Sequence, residues 1–412
     1  MNTKRTLLGA SVALICAAIA AHAAGIYPGY PSNSASPLTN PLTGNEIVAA
    51  DTGLPNGEVP QTITIPLSVL GNFSGTPRNY LDNGAMAVQQ RGTGIATCGT
   101  NTAPTMTAYG ADRWSCDVNV AVGAGRTQLA TSTPTPPQGF PAVLKVYRTS
   151  GALTQPVCAI QEIPTVRSTY LAGKTVTLSF TAAALAGLNA DNGNLMTASI
   201  ITGTGTDQGL GTLTASPAIT PAWTGIAFAV NQQPVQLTTA FARYQITVTL
   251  ATTVTELGVE LCFTPTATGA GTTDGFAFTG AQLEVAASAS AFEFQPYQLE
   301  LAIAQTYYQR FAELAAAYPL NGYCEALTAN TNGCTLALAQ TMRATPTITI
   351  TTAGTFKVNI ANTLTTIATP TAALCGLNAC AITAANTNTA GQVEQLTGAA
   401  GGTGVWEVSA DF

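Results

Sequence analysis

Histidine is almost missing from this chain: His22 is the only one in 412 residues, and it lies near the start. Charge is scarce as well. Asp, Glu, Lys and Arg make up 8% of the residues, against roughly a quarter in ordinary soluble domains, and so little Lys and Arg excludes the clustered basic footprint of a nucleic-acid binder. The net charge of -6 is spread along the chain and bears only on solubility. Long apolar runs are also lacking. The run from Leu7 to Ala20 is roughly 14 residues, short of the ~20 that a membrane-spanning helix needs, and no later segment offers a spanning stretch.

That short run sits between Lys4-Arg5 and Ala21-His22-Ala23, the order of positive charge, apolar core and small residues that defines a cleavable secretory signal. Cleavage is expected after Ala23. Cys16 follows Leu14-Ile15, which does not suit lipoprotein processing. With residues 1–23 removed, the mature chain has no histidine, hence no Ser-His-Asp or Cys-His nucleophile, no imidazole metal ligand and no imidazole acid or base near neutral pH.

What the chain has in abundance is Ala, Thr, Gly and Asn, and eight cysteines beyond the leader: Cys98, Cys116, Cys158, Cys262, Cys324, Cys334, Cys375 and Cys380. An even number in an exported protein favours disulfides over zinc. An all-cysteine zinc site from the last four is the alternative, though their spacings are wider than those of zinc knuckles. The simplest pairing joins neighbours, Cys98 with Cys116, Cys324 with Cys334 and Cys375 with Cys380, and leaves Cys158 for Cys262.

Residues 24–78 are rich in Pro, Ser, Asn and Gly, which favours an extended arm or linker, or plain disorder. Strand-like runs are Gln61 to Leu67, inside that arm, and after it Val118 to Val122, Ala142 to Tyr147, Val157 to Ile163, Thr175 to Phe180, Met196 to Ile201, Tyr244 to Leu250, Leu257 to Phe263 and Gly275 to Val285. Many alternate apolar and polar residues, the period of a half-buried strand. The expected fold class is all-β, an antiparallel jelly-roll-like sandwich over 79–297. Ile303, Tyr307, Phe311 and Leu314 recur at helical spacing, so an amphipathic helix is expected from about Glu300 to Ala317, filling 298–318 and packing across the sandwich or against copies of itself. The remainder, 319–412, returns to strands pinned by two cysteine pairs, as a small region of its own or a second β-layer on the first.

Several stretches carry a family resemblance: Asn79-Tyr80-Leu81-Asp82-Asn83-Gly84, Val88-Gln89-Gln90-Arg91-Gly92, Ala111-Asp112-Arg113-Trp114, Leu171 to Phe180, Gly280-Ala281-Gln282-Leu283-Glu284, Phe292 to Tyr297, Ala304 to Arg310, Met342 to Pro346 and the closing Val408 to Phe412. In this order they resemble bacteriophage tail-fibre and related virion proteins with a jelly-roll carbohydrate-binding-like domain. Gln89, Gln295 and Thr306 stand where that family often has Trp, Arg and Cys, and the export signal is foreign to virion assembly. The resemblance implies an extracellular fibre-type subunit, a homo-oligomer with a trimer favoured, and a cell-surface glycan or polysaccharide as partner.

Sandwich modules bind sugars by stacking an aromatic on the ring and hydrogen-bonding its hydroxyls. By residue type the candidates are Trp223, Tyr244, Trp114, Tyr109 and Tyr147. Trp114, in Asp112-Arg113-Trp114, reads better as a core indole beside a buried ion pair, whereas Trp223, between Pro221 and Gly225 in a turn-rich stretch, is expected to be an exposed platform. Asp191-Asn192-Gly193-Asn194 offers oxygens for a structural calcium ion but lacks the spacing of a helix-loop-helix site and reads more simply as an Asx turn. Gly203-Thr204-Gly205-Thr206 leads to no helix and is no phosphate loop. The acids form no cluster of the kind a glycoside hydrolase needs. The expectation is therefore a secreted, non-catalytic glycan-binding adhesin or fibre-type subunit, with a purely structural subunit as alternative and a hydrolase using an Asp/Glu pair as a minor one.

Overall fold

The computed structural model of the chain describes residues 47–51, 62–66, 78–91, 94–98, 109–118, 125–149, 153–209, 214–215, 219–266, 274–312, 320–328, 331–352, 357–360, 363–366, 368–385, 391, 393–397 and 405–411. Residues 1–77 form one unit and 78–412 another. In the first, the described part is an antiparallel hairpin of β1 (Ile47–Asp51) and β2 (Thr62–Pro66). The leader lies outside the described residues, as does the rest of the expected arm up to Pro77.

In the second unit the sandwich strands are β3 (Ile95–Thr97), β4 (Tyr109–Ala111), β5 (Trp114–Val118), β6 (Gly125–Ala130), β7 (Val143–Arg148), β8 (Val157–Ile163), β9 (Thr175–Ala184), β10 (Leu195–Gly203), β11 (Thr214–Ala215), β12 (Ile219–Thr220), β13 (Ala227–Gln236), β14 (Ala242–Thr249), β15 (Glu256–Phe263) and β16 (Gly275–Val285). Two six-stranded antiparallel sheets result, ordered β13-β10-β15-β8-β5-β4 and β14-β9-β16-β7-β6-β3, while β11 and β12 pair only with each other. From β7 to β10 and from β13 to β16 the chain alternates between the two sheets, the winding of a jelly roll. The all-β class expected from the alternating runs is thus the fold.

Between the sheets the inward residues of each strand interdigitate: Leu144 and Val146, Leu178 and Phe180, Val259, Leu261 and Phe263, Phe276 and Phe278 are fully buried. Each such burial contributes roughly 1.5–3 kcal/mol. Trp114 meets Phe278 edge-on at 5.1 Å, the arrangement aromatic quadrupoles prefer. Among the described residues no helix is long and apolar enough to cross a membrane, which says nothing of β-barrels.

The helix departs from expectation. After two short helices, α1 (Thr165–Ser168) and α2 (Leu188–Asn192), α3 covers only Tyr297–Gln305, and the chain resumes as strand β17 (Tyr308–Ala312). Tyr307 and Phe311 are four residues apart, which places them on one face of a helix or, being an even interval, on one face of a strand. Partners decide. Tyr307 accepts the Arg113 guanidinium on its ring at 3.6 Å, and β17 finds a ladder partner in β26 (Val405–Ser409). Of the stripe offered for self-association, Tyr307 is buried and Phe311 packs against the C-terminal core; Leu314 lies outside the described residues.

The remaining strands are β18 (Leu320–Thr328), β19 (Thr331–Ala337), β20 (Thr347–Thr352), β21 (Lys357–Ile360), β22 (Thr363–Thr366), β23 (Ala368–Cys375), β24 (Ala379–Ala385) and β25 (Val393–Thr397). They make a three-stranded sheet, β17-β26-β20, and a seven-stranded one, β22-β21-β25-β18-β19-β24-β23. Leu336, Met342, Val358, Ile382, Leu396, Trp406 and Val408 form a second core here.

All four cysteine pairs fall as the neighbour rule expects: Cys98–Cys116, Cys158–Cys262, Cys324–Cys334 and Cys375–Cys380. The last three are directly opposite residues of adjacent antiparallel strands, with Cα atoms 3.9 to 4.1 Å apart. Cys98–Cys116 ties the end of β3 to β5 and so clips one sheet to the other. Four such bridges indicate folding in an oxidising compartment.

Candidate functional site

Four of the aromatic residues singled out by type, Trp114, Tyr109, Trp223 and Tyr244, do not form a platform. Trp114 is fully buried and Tyr109 is 3% exposed. Trp223 corrects the expectation most: it is 5% exposed, donates its indole N–H to the Gly209 carbonyl at 3.1 Å, and lies over Gly258, where a Cβ would come within 3.0 Å of its ring. Its company is Cys158, Ile160, Ile201 and Cys262, on the side of the sheet away from the main core. Tyr244 is half-buried near Phe180, at 6.0 Å between rings, and its hydroxyl accepts the Thr238 N–H. A turn-rich sequence put Trp223 in a loop, and the loop folds its indole inward because glycine leaves the space.

The residues of the family resemblance serve construction. Arg91 lies between the rings of Tyr109 and Tyr308, at 4.0 and 3.7 Å, and pairs with Asp411. Gln90 donates to Asp112 at 2.6 Å and to the Tyr308 carbonyl at 3.0 Å. Arg113 pairs with Asp82 at 3.3 Å and donates to the Glu162 carbonyl at 2.6 Å, and Arg167 reaches the other Asp82 oxygen. The expected buried ion pair beside Trp114 exists, with Asp82 as its acid in place of Asp112. Burial alone would raise the Asp82 pKa, but Arg167 and Arg113 outweigh it and hold the carboxyl below its ordinary range. These contacts join the sandwich to β17 and to Asp411 beyond the last strand.

Two acids beside this network, Asp117 and Glu162, are buried. Asp117 accepts a hydrogen bond from Ser115 Oγ at 3.0 Å, and burial pushes its pKa up to about 7. Burial also lifts Glu162 well above its usual range, with Arg113 opposing and Asp117 adding. Ligand-type atoms of Cys158, Glu260 and Cys262 lie within 4.8 Å of one another, but the two sulfurs are joined to each other, which leaves no thiolate for a metal. The calcium candidate resolves likewise: the Asp191 carboxylate pairs with Arg148 at 3.3 Å and accepts from the Thr266 N–H at 2.9 Å, so its charge is spent on the protein's own cation. Asn192 accepts the Leu195 N–H at 3.0 Å, three residues on, one further than in an Asx turn.

An open groove lies on the outer face of β3, β6 and β7. Leu144 and Val146 of β7 point into the core, so Lys145 and Tyr147 point out. Register places Gln128 opposite Lys145 and Arg126 opposite Tyr147, with Ile95 and Thr97 opposite Gln128 and Arg126 on the edge strand. Ile95, Arg126, Gln128, Lys145, Tyr147 and Thr149 line a groove of about 420 Å³. On its far side β16 sets Ala277 opposite Lys145 and Gly275 opposite Tyr147, so the neighbouring surface is low. Gly275 has φ 149°, and a Cβ there would come within 2.0 Å of the Val146 carbonyl oxygen, so the position is closed to larger residues.

Within the groove Lys145 Nζ donates to Gln128 Oε1 at 3.0 Å and lies 5.0 Å from the Tyr147 ring centre, while Arg126 donates to Thr97 Oγ1 at 3.0 Å. Burial lowers the Lys145 pKa, and burial raises that of Tyr147 against the opposing effect of Arg126. Tyr147 is only 7% exposed, but unlike Trp223 and Tyr109 it lies on the open outer face of the sheet, as the floor beneath these groups. Amide, hydroxyl and cationic groups around an aromatic are the donor and acceptor set that a sugar needs. Of the residues considered from sequence, Tyr147 alone belongs to it. The alternation Arg126-Thr127-Gln128 carried a usable period-two signal, but it lies in a short polar strand with little apolar content.

No family model and no curated protein matches the chain. Among solved structures it is similar to the enzymatically active domain of tailspike protein 4 of bacteriophage CBA120, at 11% identity and TM-score 0.30, over 51% of this chain and 22% of that one. It is similar to TmCBM61, solved in complex with β-1,4-galactotriose, at 11% identity and TM-score 0.27, over 51% of this chain and all of that one. A third likeness is to the xylan-binding domain of carbohydrate-binding module 22, at 13% identity and TM-score 0.26, over 43% and 90%. At this overlap the assignment of fold rests on the chain's own strand order.

Proposed function

We propose that this protein is a secreted, non-catalytic glycan-binding adhesin or fibre-type subunit that holds polysaccharide in the groove over β3, β6 and β7. The observation that carries the reading is the groove itself, an open strip lined by Tyr147, Lys145, Gln128, Arg126 and Thr149. Four disulfides suit an extracellular post, and the carboxyls of Asp117 and Glu162, the acids of most raised proton affinity, sit where no sugar reaches them. The test is a polysaccharide panel with the purified mature chain. Wild type should bind at least one glycan, and Tyr147→Ala should weaken that binding by roughly 2- to 12-fold, the loss of about 0.5–1.5 kcal/mol of ring contact. A panel without a hit removes the reading.

One observation favours the structural-subunit alternative. Phe140, Phe292 and Phe294 cluster with ring centres 4.9 to 5.3 Å apart, and Phe294 is 54% exposed, the kind of aromatic surface that a subunit contact covers. Light scattering of the mature protein decides: the mass of a trimer supports assembly, and that of one chain at micromolar concentration removes it.

A further inference from the structure

Five arginines of this chain, Arg91, Arg113, Arg148, Arg167 and Arg343, each pair with a carboxylate. Arg126 and Lys145 do not. Among the described residues neither makes an ion pair; their partners are the neutral oxygens of Thr97 and Gln128. No acid is among the residues that line the groove with them. In a chain with 20 acidic and 14 basic residues, two cations side by side without a counter-charge stand apart.

Resting on the glycan-binding reading above, we infer that the groove selects an anionic polysaccharide, one carrying uronate carboxylates or sulfate esters, with Arg126 and Lys145 as its charge-reading residues. Arg126 and Lys145 lie on adjacent strands two residues out of register, a diagonal of about 7–8 Å between backbones. That spacing lets both reach one sugar's acid group or those of two successive sugars. The free protein also keeps the Lys145 ammonium partly from water, which burial makes unfavourable. An anion in the groove restores the missing charge partner, so binding recovers free energy that a neutral sugar leaves untouched. Planar Arg126 suits a bidentate carboxylate or sulfate, and Lys145 acts as a point charge. Tyr147 and Gln128 serve ring and hydroxyl contacts.

The test uses the full mature chain with polygalacturonate, dextran sulfate and neutral dextran, at low and at physiological salt, with Arg126→Gln, Lys145→Gln and their double variant. Circular dichroism melting checks that each variant folds. Binding to one or both acidic polymers is expected, falling as salt rises and dropping about tenfold in the double variant. Preference between the two polymers identifies carboxylate or sulfate as the group read. Neutral dextran bound as tightly as the acidic polymers, or acidic binding unchanged in the folded double variant, overturns the inference and leaves the glycan reading standing. No binding to any of the three polymers, together with no hit on the wider panel, overturns both.

Discussion

Replacing Asp117 by Asn should stabilise this protein at neutral pH and leave it nearly unchanged in mild acid. Asp117 sits fully buried on β5. In the unfolded chain its carboxyl loses its proton near pH 4, whereas in the fold burial holds the proton up to about pH 7. Between those values the native state binds more protons than the unfolded state, so its stability falls as pH rises. Over about three pH units, at roughly 1.4 kcal/mol each, the ionised carboxyl comes to cost about 4 kcal/mol above pH 7. Asparagine keeps the shape and an oxygen for the Ser115 hydroxyl, and it carries no charge at any pH. Denaturant unfolding at each unit from pH 4 to pH 8 measures the effect. The two proteins should agree to within about 1 kcal/mol at pH 4, the scale of one altered hydrogen bond, and diverge toward about 4 kcal/mol by pH 8. Glu162 titrates in both proteins, and because the Asp117 charge helps raise its pKa, removing that charge widens the gap above pH 7 in the same direction. A difference that stays flat from pH 4 to pH 8 would refute the reasoning.

Trp223→Ala should lower the melting temperature through a loss of roughly 3–5 kcal/mol, as for a buried large aromatic; an unchanged melt with lost glycan binding would return Trp223 to the role of platform. Asp82→Asn strands Arg113 and Arg167 without their shared acid and should cost about 3 kcal/mol or more by denaturant unfolding. Because the folded pKa of Asp82 is lowered, its contribution is present above the ordinary carboxylate range and is lost as pH falls through that lowered value, so the gap between variant and wild type closes only in strong acid. Alkylation of unreduced, folded mature protein should label none of the eight cysteines. Removing Cys158–Cys262, with 104 residues of separation, should destabilise by about 5 kcal/mol, against about 2 for Cys375–Cys380 with five, if restriction of the unfolded chain dominates.

The sequence by itself determined the fold class and the disulfides. Period-two alternation is local, so β8 and β16 could be bounded to the residue as Val157–Ile163 and Gly275–Val285. Three cysteine pairs are near neighbours along the chain, as hairpin strands and adjoining turns allow, and once they were joined Cys158 had Cys262 left. The polar strands β6 and β13 were not legible, because half-exposed alternation without strong apolar residues gives the pattern little contrast. Spacing of four residues suits either a helix or a strand, and only the ladder with β26 made Tyr308–Ala312 a strand. The burial of Trp223 depended on Gly258, 35 positions away in sequence, and the groove on a register that sets residues 95, 126 and 145 side by side from three separate strands. Sequence patterns record which way each side chain points from its own strand. Which side chains then meet is set by long-range hydrogen-bonded register, and that is why the site was decided by the tertiary structure alone.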